Sequence, residues 1–141
     1  MALRWQRPSL ETRFHIDMAW WDDQNRDIRV YLKDMLCDEC QDTLEGMPMD
    51  EKVDWVDEET GEVSRVDPLW HSLRTCCAES PDFVNPNTPI VEAVFRTFLA
   101  NGNQPLSVSE LHERINRRPP QTLLRMLTAG EVYLGIRPIR T

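Results

Sequence analysis

The sequence lacks the features that would place it in several large functional classes. No apolar run approaches the length of about 20 residues that a membrane-spanning helix needs. Residues 1–8 carry arginines and a proline instead of the continuous apolar segment of a signal peptide. Neither a phosphate-binding glycine loop nor a nucleophile beside a general base is recognisable from spacing. We therefore expect a cytoplasmic, non-enzymatic protein with no membrane contact.

The charge of the chain is unevenly distributed. The 141 residues are 40% hydrophobic and 28% charged, as in ordinary soluble proteins, and are enough for only a modest core. Residues 1–80 hold 19 acidic against 9 basic side chains, a balance of −10, whereas residues 81–141 hold 5 against 7, a balance of +2. Because an acidic body repels phosphate, any nucleic-acid contact is expected in the carboxy-terminal third.

Two groups of metal-ligand residues stand out. Cys37 and Cys40 have the C-x2-C spacing that lets one cation take both thiolates, and His71, Cys76 and Cys77 follow in one short piece. In a reducing cytoplasm, cysteines are more often thiols or metal ligands than disulfides. We predict a structural Zn²⁺ held by four of these five residues.

The local patterns leave alternatives for both groups. The pattern predicts a helix that begins at Asp22 or Asp23, continues through Cys40 and places the C-x2-C pair at its carboxy end. The alternative to metal binding is that the two cysteines are small apolar residues at the end of the buried face of this helix. A redox dithiol is disfavoured there because such pairs usually begin a helix. On one continuous helix His71 and Cys76 would lie about 140° apart. Either Cys76 and Cys77 both turn inward at a helix end, or His71 joins one of them.

The rest of residues 1–80 predicts an α+β unit. Alternation from Arg13 to Met18 indicates a strand, and Trp20 and Trp21 are expected in the core. Residues 41–51 suggest a loop. The runs 53–56 and 63–66 predict a β-hairpin with Gly61 in its turn; the acidic tip is expected to be a solvated turn rather than a cation site. Asp67-Pro68 predicts the start of a helix.

The carboxy-terminal third predicts three helices and a strand. Residues 78–87 suggest a linker, so the predicted domains are 1–80 and 88–141. Thr88-Pro89 begins a helix that ends at Asn101-Gly102, and Ser107 with Glu110 has the form of a capping box. A third helix ends near Gly130, and residues 132–136 suggest a strand.

This order of elements resembles the winged helix-turn-helix superfamily over about fifty residues, on pattern alone. The resemblance implies that the third helix could enter a DNA major groove, with arginines around it on phosphates. The chain departs from the superfamily in showing one clear strand where a wing needs a hairpin. The resemblance implies that contacts in the groove are made by Gln121, Thr122, Arg125 and Thr128. It implies that contacts with phosphates are made by Arg117, Arg118, Arg137 and Arg140.

These observations favour a zinc-stabilised, DNA-binding or transcription-associated regulatory protein, whose partner is DNA or a DNA-bound protein complex. An alternative is a protein-interaction or scaffold module that uses the acidic amino-terminal unit and keeps a structural metal. A further alternative is a small enzyme built around a three-ligand metal, using residues drawn from His15, Asp17, Asp22 and His71.

Overall fold

The computed structural model describes residues 7–45, 52–80 and 82–139. Within them the protein is α+β, as predicted, with seven α-helices, a 3₁₀ turn and two small antiparallel sheets. The elements in chain order are β1 (Arg13–Ile16), α1 (Met18–Asp23), α2 (Ile28–Lys33), α3 (Asp38–Leu44), β2 (Val53–Val56), β3 (Val63–Val66), α4 (Pro68–Thr75), the 3₁₀ turn (Cys77–Glu79), α5 (Ile90–Ala100), β4 (Leu106–Ser107), α6 (Val108–Ile115), α7 (Pro120–Thr128) and β5 (Ile136–Pro138).

The single helix predicted after Asp22 or Asp23 is wrong, because the chain forms three short helices there. Asp17 caps α1 and Asp27 caps α2, each accepting a backbone N–H two residues on, whereas Asp22 and Asp23 end α1. Asn25 lies between α1 and α2 with φ +54°, a left-handed conformation that stops the first helix.

The loop predicted for residues 41–51 is also wrong in its first part. Helix α3 continues through Leu44, and residues 46–51 lie outside the described part of the chain. The acidic residues Asp38 and Glu39 in the first turn of α3 are where negative charge favours a helix.

Strand β1 is central in the larger sheet, between β4 and β5. Phe14 lies opposite Leu106 and Pro138, and Ile16 lies opposite Ile136. Phe14 and Ile16 are buried, as the alternation predicts, although Met18 belongs to α1. The carboxy-terminal strand begins at Ile136, four residues later than predicted, because Leu134 and Gly135 have positive φ, +54° and +79°, and form a turn instead.

This sheet crosses the boundary predicted between residues 80 and 88. Its central strand comes from the first predicted unit and its outer strands from the second, so the two share one sheet. The buried side chains of both also form one cluster. Trp20 and Trp21 belong to it, as predicted, and Trp21 packs on Phe95 of α5 with ring centroids 6.0 Å apart. The core therefore joins the first helices to the carboxy-terminal three.

The predicted hairpin and the predicted starts of α4 and α6 are confirmed. Strands β2 and β3 pair with Val53 opposite Val66 and Val56 opposite Val63, and Gly61 takes φ +73° in the turn. Asp67 caps α4, which has Pro68 in its first turn. Ser107 and Glu110 form the predicted capping box on α6.

The winged helix-turn-helix resemblance stays a prediction. Helices α5, α6 and α7 follow in the expected order, and α6 packs against both of its neighbours. After α7, the described residues form one strand, β5, whose partner is β1 from the other end of the chain. No hairpin wing occurs in that described stretch.

Candidate metal centre

The four cysteines meet at one place in the fold. Their sulphur atoms all lie within 4.8 Å of one another. Cys37 and Cys40 come from the start of α3, and Cys76 and Cys77 come from the end of α4 and the 3₁₀ turn. Two ligand pairs separated by more than thirty residues therefore converge, as the sequence spacing predicts for a tetrahedral site.

The C-x2-C pair lies at the start of a helix, not at the end as predicted. Cys37 is the N-cap of α3, with extended backbone, and Cys40 lies within the first turn. One helical turn thus brings both side chains to the same end of α3. This position removes the ground on which a redox dithiol was disfavoured, and the remaining difference from the usual redox arrangement is that the chain enters the helix from α2 rather than from a strand.

The second pair is positioned by the end of α4. The Cys76 backbone N–H donates to the carbonyl of Ser72 at 3.0 Å, and Cys76 then leaves helical geometry with φ −120°. This break lets the side chains of Cys76 and Cys77 both face the sulphur of Cys37. His71 instead packs on Trp55, with ring centroids 4.7 Å apart, and does not join the cysteine cluster. Of the two arrangements left open by the sequence, the structure shows the one in which both adjacent cysteines contribute.

The distances between sulphur atoms fit a tetrahedral zinc thiolate. Zn–S bonds of about 2.3 Å in a tetrahedron place any two sulphurs about 3.8 Å apart. The Cys37 sulphur lies 3.5 Å from that of Cys77 and 3.9 Å from that of Cys76. Because no pair exceeds 4.8 Å, small side-chain adjustments would bring all four sulphurs onto one ion.

The cluster is built into the core on one side and open on the other. Cys40 and Cys77 are only 7% and 3% exposed, whereas Cys76 is exposed. The two buried cysteines, Cys40 and Cys77, belong to the same apolar core cluster as Leu36 and Leu73. A metal bound here would therefore tie α3 to α4 at the edge of the core.

Hydrogen bonding and burial have opposite effects on the pKa values of the cysteine thiols. The Cys37 N–H donates to the Cys77 sulphur at 3.3 Å. The Cys40 backbone N–H, aided by neighbouring thiols, lowers the pKa of the Cys37 thiol. Burial raises the pKa of the Cys40 and Cys77 thiols, which disfavours free thiolates there. A bound cation would offset this penalty because coordinated thiols are deprotonated.

Gln41 supports the site and was not singled out from the sequence. Its side-chain amide donates to the Leu36 carbonyl at 2.8 Å, and its backbone N–H donates to the Cys37 carbonyl at 2.9 Å. Together these bonds fix the bend that carries Cys37 into α3. A glutamine one residue after a C-x2-C pair has no distinctive sequence signal, so only the fold reveals this role.

The residues predicted to contact nucleic acid divide into two sets. Arg117 donates to the Thr88 carbonyl, and Arg137 forms an ion pair with Asp17 at 3.2 Å, so both have intramolecular partners. Arg118, Gln121 and Arg125 are exposed at or on α7. Of the other two residues predicted to face the groove, Thr122 is half-buried, and Thr128 is exposed with its hydroxyl bonded to the Leu124 carbonyl. Arg140 lies outside the described residues.

In the described part of the chain, the residues considered for an enzyme do not form a second cluster of candidate metal ligands. Among the described residues, the cysteine cluster alone groups three or more candidate ligands. Asp17 caps α1 and pairs with Arg137, and Asp22 is an exposed residue at the end of α1. His15 lies on β1, opposite Arg137. At the hairpin tip, the Asp57 carboxylate accepts backbone N–H groups of the turn, as expected for a solvated turn.

Comparison of the chain with protein-family models, curated proteins and solved structures finds no significant match. Family membership therefore assigns no role to the cysteine cluster. In the described ranges, no helix is both long enough and apolar enough to cross a bilayer.

Proposed function

We propose that the chain is a non-enzymatic, zinc-stabilised regulatory protein of the cytoplasm. The convergence of four cysteine sulphurs within 4.8 Å carries this proposal. Four protein thiolates fill the coordination sphere of Zn²⁺ and leave no position for a reactive water, so the ion would serve structure rather than hydrolysis. A chain of 141 residues has a small core, and such an ion would add to its stability.

A bound metal would hold α3 and α4, both of which belong to the acidic amino-terminal unit, against each other. Helix α4 also packs on α5, the first of the three carboxy-terminal helices. At this junction, the Arg74 side chain of α4 lies beside Gly102, which ends α5. Loss of the ion would therefore loosen the attachment of the α3 segment before it affected the helices that follow.

Metal analysis and thermal unfolding test the metal part of the proposal. Protein purified without added metal should contain one zinc per chain, and chelation should lower its melting temperature. Cys40→Ser should lose the metal, whereas Thr43→Ser, an exposed substitution in the same helix, should retain it. Metal-free protein that melts at the same temperature as the purified sample would contradict the proposal.

The second part of the proposal is that α7 contacts DNA or a DNA-bound complex. Arg118, Gln121 and Arg125 support it, because they are exposed at the start and on one side of that helix. Basic and amide side chains are those that contact phosphates and base edges. The body of the protein carries a balance of −10 over residues 1–80, so this contact would be confined to α7 and its surroundings.

Electrophoretic mobility with genomic fragments across a salt series tests this contact. Arg118→Glu/Arg125→Glu should abolish a shift seen at low salt, and binding should weaken steeply as salt rises. The matched control is Arg7→Glu/Arg65→Glu, which changes the net charge equally at two exposed arginines that are not part of α7. The absence of a mobility shift at low salt, or an equal loss of the shift in both double variants, would contradict the proposed DNA contact.

A protein-interaction module is a second candidate function. It is favoured by the intramolecular bonds of Arg117 and Arg137, which reduce the cationic surface left for DNA. It is also favoured by large apolar side chains exposed on the amino-terminal half. Stoichiometric co-purification of a protein partner, without any DNA shift, would select this candidate.

A further inference from the structure

The β2–β3 hairpin concentrates exposed apolar surface. Five large hydrophobic side chains are exposed in the described part of the chain, and three of them are Trp55, Val56 and Val63 of this hairpin. Val56 and Val63 are 54% and 59% exposed. Apolar residues clustered on one exposed ribbon are more informative than single ones scattered over a surface.

The two faces of the hairpin differ in their surroundings. Trp55 points to the face that meets α4, where its ring packs on His71 at 4.7 Å. Val56 and Val63 lie directly opposite each other on the other face, because side chains alternate along a strand. On that same face Asp54 lies opposite Arg65, and both are exposed. One face thus anchors the hairpin to the body, and the other presents a valine pair to solvent.

The hairpin also has open strand edges and an acidic end. Among the described residues, β2 and β3 pair only with each other, so each has an outer edge without a neighbouring strand. Next to the valine pair, Glu58, Glu59 and Glu62 are exposed, and Glu59 and Glu62 bond to turn side chains through their backbone N–H groups. Over residues 52–66 the charge balance is −3, from five acidic and two basic side chains.

We infer that this hairpin binds an extended, basic segment of a partner protein. The segment would add a third strand at a hairpin edge, set apolar side chains on Val56 and Val63, and place cations on the glutamates at the tip. The inference rests on the proposed protein-interaction function and assigns it a site and a partner chemistry.

Charge distinguishes a basic peptide segment from DNA and from a second copy of the chain, which are the other two partners that could cover this face of the hairpin. DNA would meet the glutamates of the tip with its own negative phosphates. A second copy aligned with its tip beside this one would bring two sets of glutamates together. Only a basic segment gains from the apolar pair and from the carboxylates at once.

Fluorescence anisotropy with a short labelled peptide of alternating arginine and valine tests the inference on the full chain. Val56→Ser/Val63→Ser should weaken binding roughly tenfold or more, since two apolar contacts are lost while every charge is kept. The matched control is Val30→Ser, which removes an exposed valine, 61% accessible, from helix α2. Equal weakening by the control, or unchanged binding in the double variant, would overturn the inference.

Two further comparisons separate strand addition from simple charge attraction. Glu58→Gln/Glu59→Gln should weaken binding more than Asp22→Asn/Asp23→Asn, which neutralises two exposed acids elsewhere. A peptide with N-methylated valine amides should lose affinity, because it cannot pair with a strand edge. Equal effects of the two neutralisations, or undiminished binding of the methylated peptide, would overturn the docking mode.

Sedimentation of the protein alone tests the competing occupant. A monomer at all concentrations is the expected result, and a dimer abolished by Val56→Ser/Val63→Ser would overturn the inference in favour of a second copy. Zinc content and DNA mobility shifts of the same variants should equal those of the parent. Because those readouts are independent of peptide binding, failure of the hairpin inference can be told from failure of the proposed metal or DNA function.

Discussion

Replacing Gly135 with alanine perturbs the turn between α7 and β5, which packs against the start of α1. Gly135 has φ +79°, and a Cβ there would lie 2.8 Å from Trp21 Nε1 and 3.0 Å from the Asp17 carbonyl oxygen. Two hydrogen bonds cross the same junction. The Asp17 N–H donates to the Gly135 carbonyl at 2.7 Å, and the Trp21 indole donates to the Leu134 carbonyl at 3.1 Å.

The expected loss of stability combines strain and displaced hydrogen bonds. An alanine at this positive φ costs about 1–2 kcal/mol. The new Cβ forces Trp21 and the Asp17 segment apart, and each weakened bond costs about 1 kcal/mol. We expect Gly135→Ala to lower the free energy of unfolding by about 3–4 kcal/mol in total, a large part of the stability of a small protein.

Gly130→Ala is the matched control for this substitution. Gly130 also has positive φ, +85°, but a Cβ there would have no neighbour within 4 Å. It should therefore cost only the strain of about 1–2 kcal/mol. Urea unfolding followed by circular dichroism measures both variants. Equal losses at Gly135 and Gly130 would refute the argument that the close contact to Trp21 matters.

Three further predictions concern the metal site, the sheet and α6. Cys76→Ser, at the exposed cysteine of the cluster, should melt below the parent protein, and chelation should bring the two melting temperatures together; a gap that persists after chelation would contradict a metal effect. Asn103→Gly keeps the positive φ but removes both side-chain hydrogen bonds to the Ile16 backbone, at 2.8 and 2.9 Å, and should cost about 2 kcal/mol in urea unfolding. The Ser107 backbone N–H lowers the pKa of Glu110. The stability that this hydrogen bond contributes is therefore present above the pKa of Glu110 in the unfolded chain and is lost as the pH falls through its pKa in the folded protein. The free energy of unfolding of Glu110→Gln should consequently depend less on acid pH than that of the parent protein.

The elements that sequence patterns predict well are those with local signals. The start of α4 is encoded by Asp67 and Pro68, and the start of α6 is encoded by Ser107 with Glu110. The hairpin has β-branched runs on both sides of Gly61. In each case the residues that form the cap or turn lie within a few positions of one another.

The split of the first predicted helix could not be found from apolar spacing. Ile28, Leu32 and Leu36 continue at intervals of four, although α2 ends at Lys33. The break depends on Asp27 and Cys37 acting as N-caps, and an isolated aspartate or cysteine is a weak signal. As a result, the cysteine pair was expected at the wrong end of a helix.

The larger sheet depends on contacts between distant parts of the chain. Phe14 pairs with Leu106 and Pro138, and Asn103 bonds to both backbone groups of Ile16 from 87 positions away. Alternation shows that residues 13–16 form a strand but carries no information about its partner. The convergence of the cysteines was predictable because zinc ligands have characteristic spacing, whereas the choice between His71 and Cys76 required the end of α4.

Zinc K-edge X-ray absorption of the full chain, purified without added metal, tests the central claim most directly. Four cysteine sulphurs that converge within 4.8 Å should give a first shell of four sulphur atoms at about 2.3 Å. A folded protein without zinc, or a first shell containing nitrogen or oxygen, would contradict a four-cysteine zinc site.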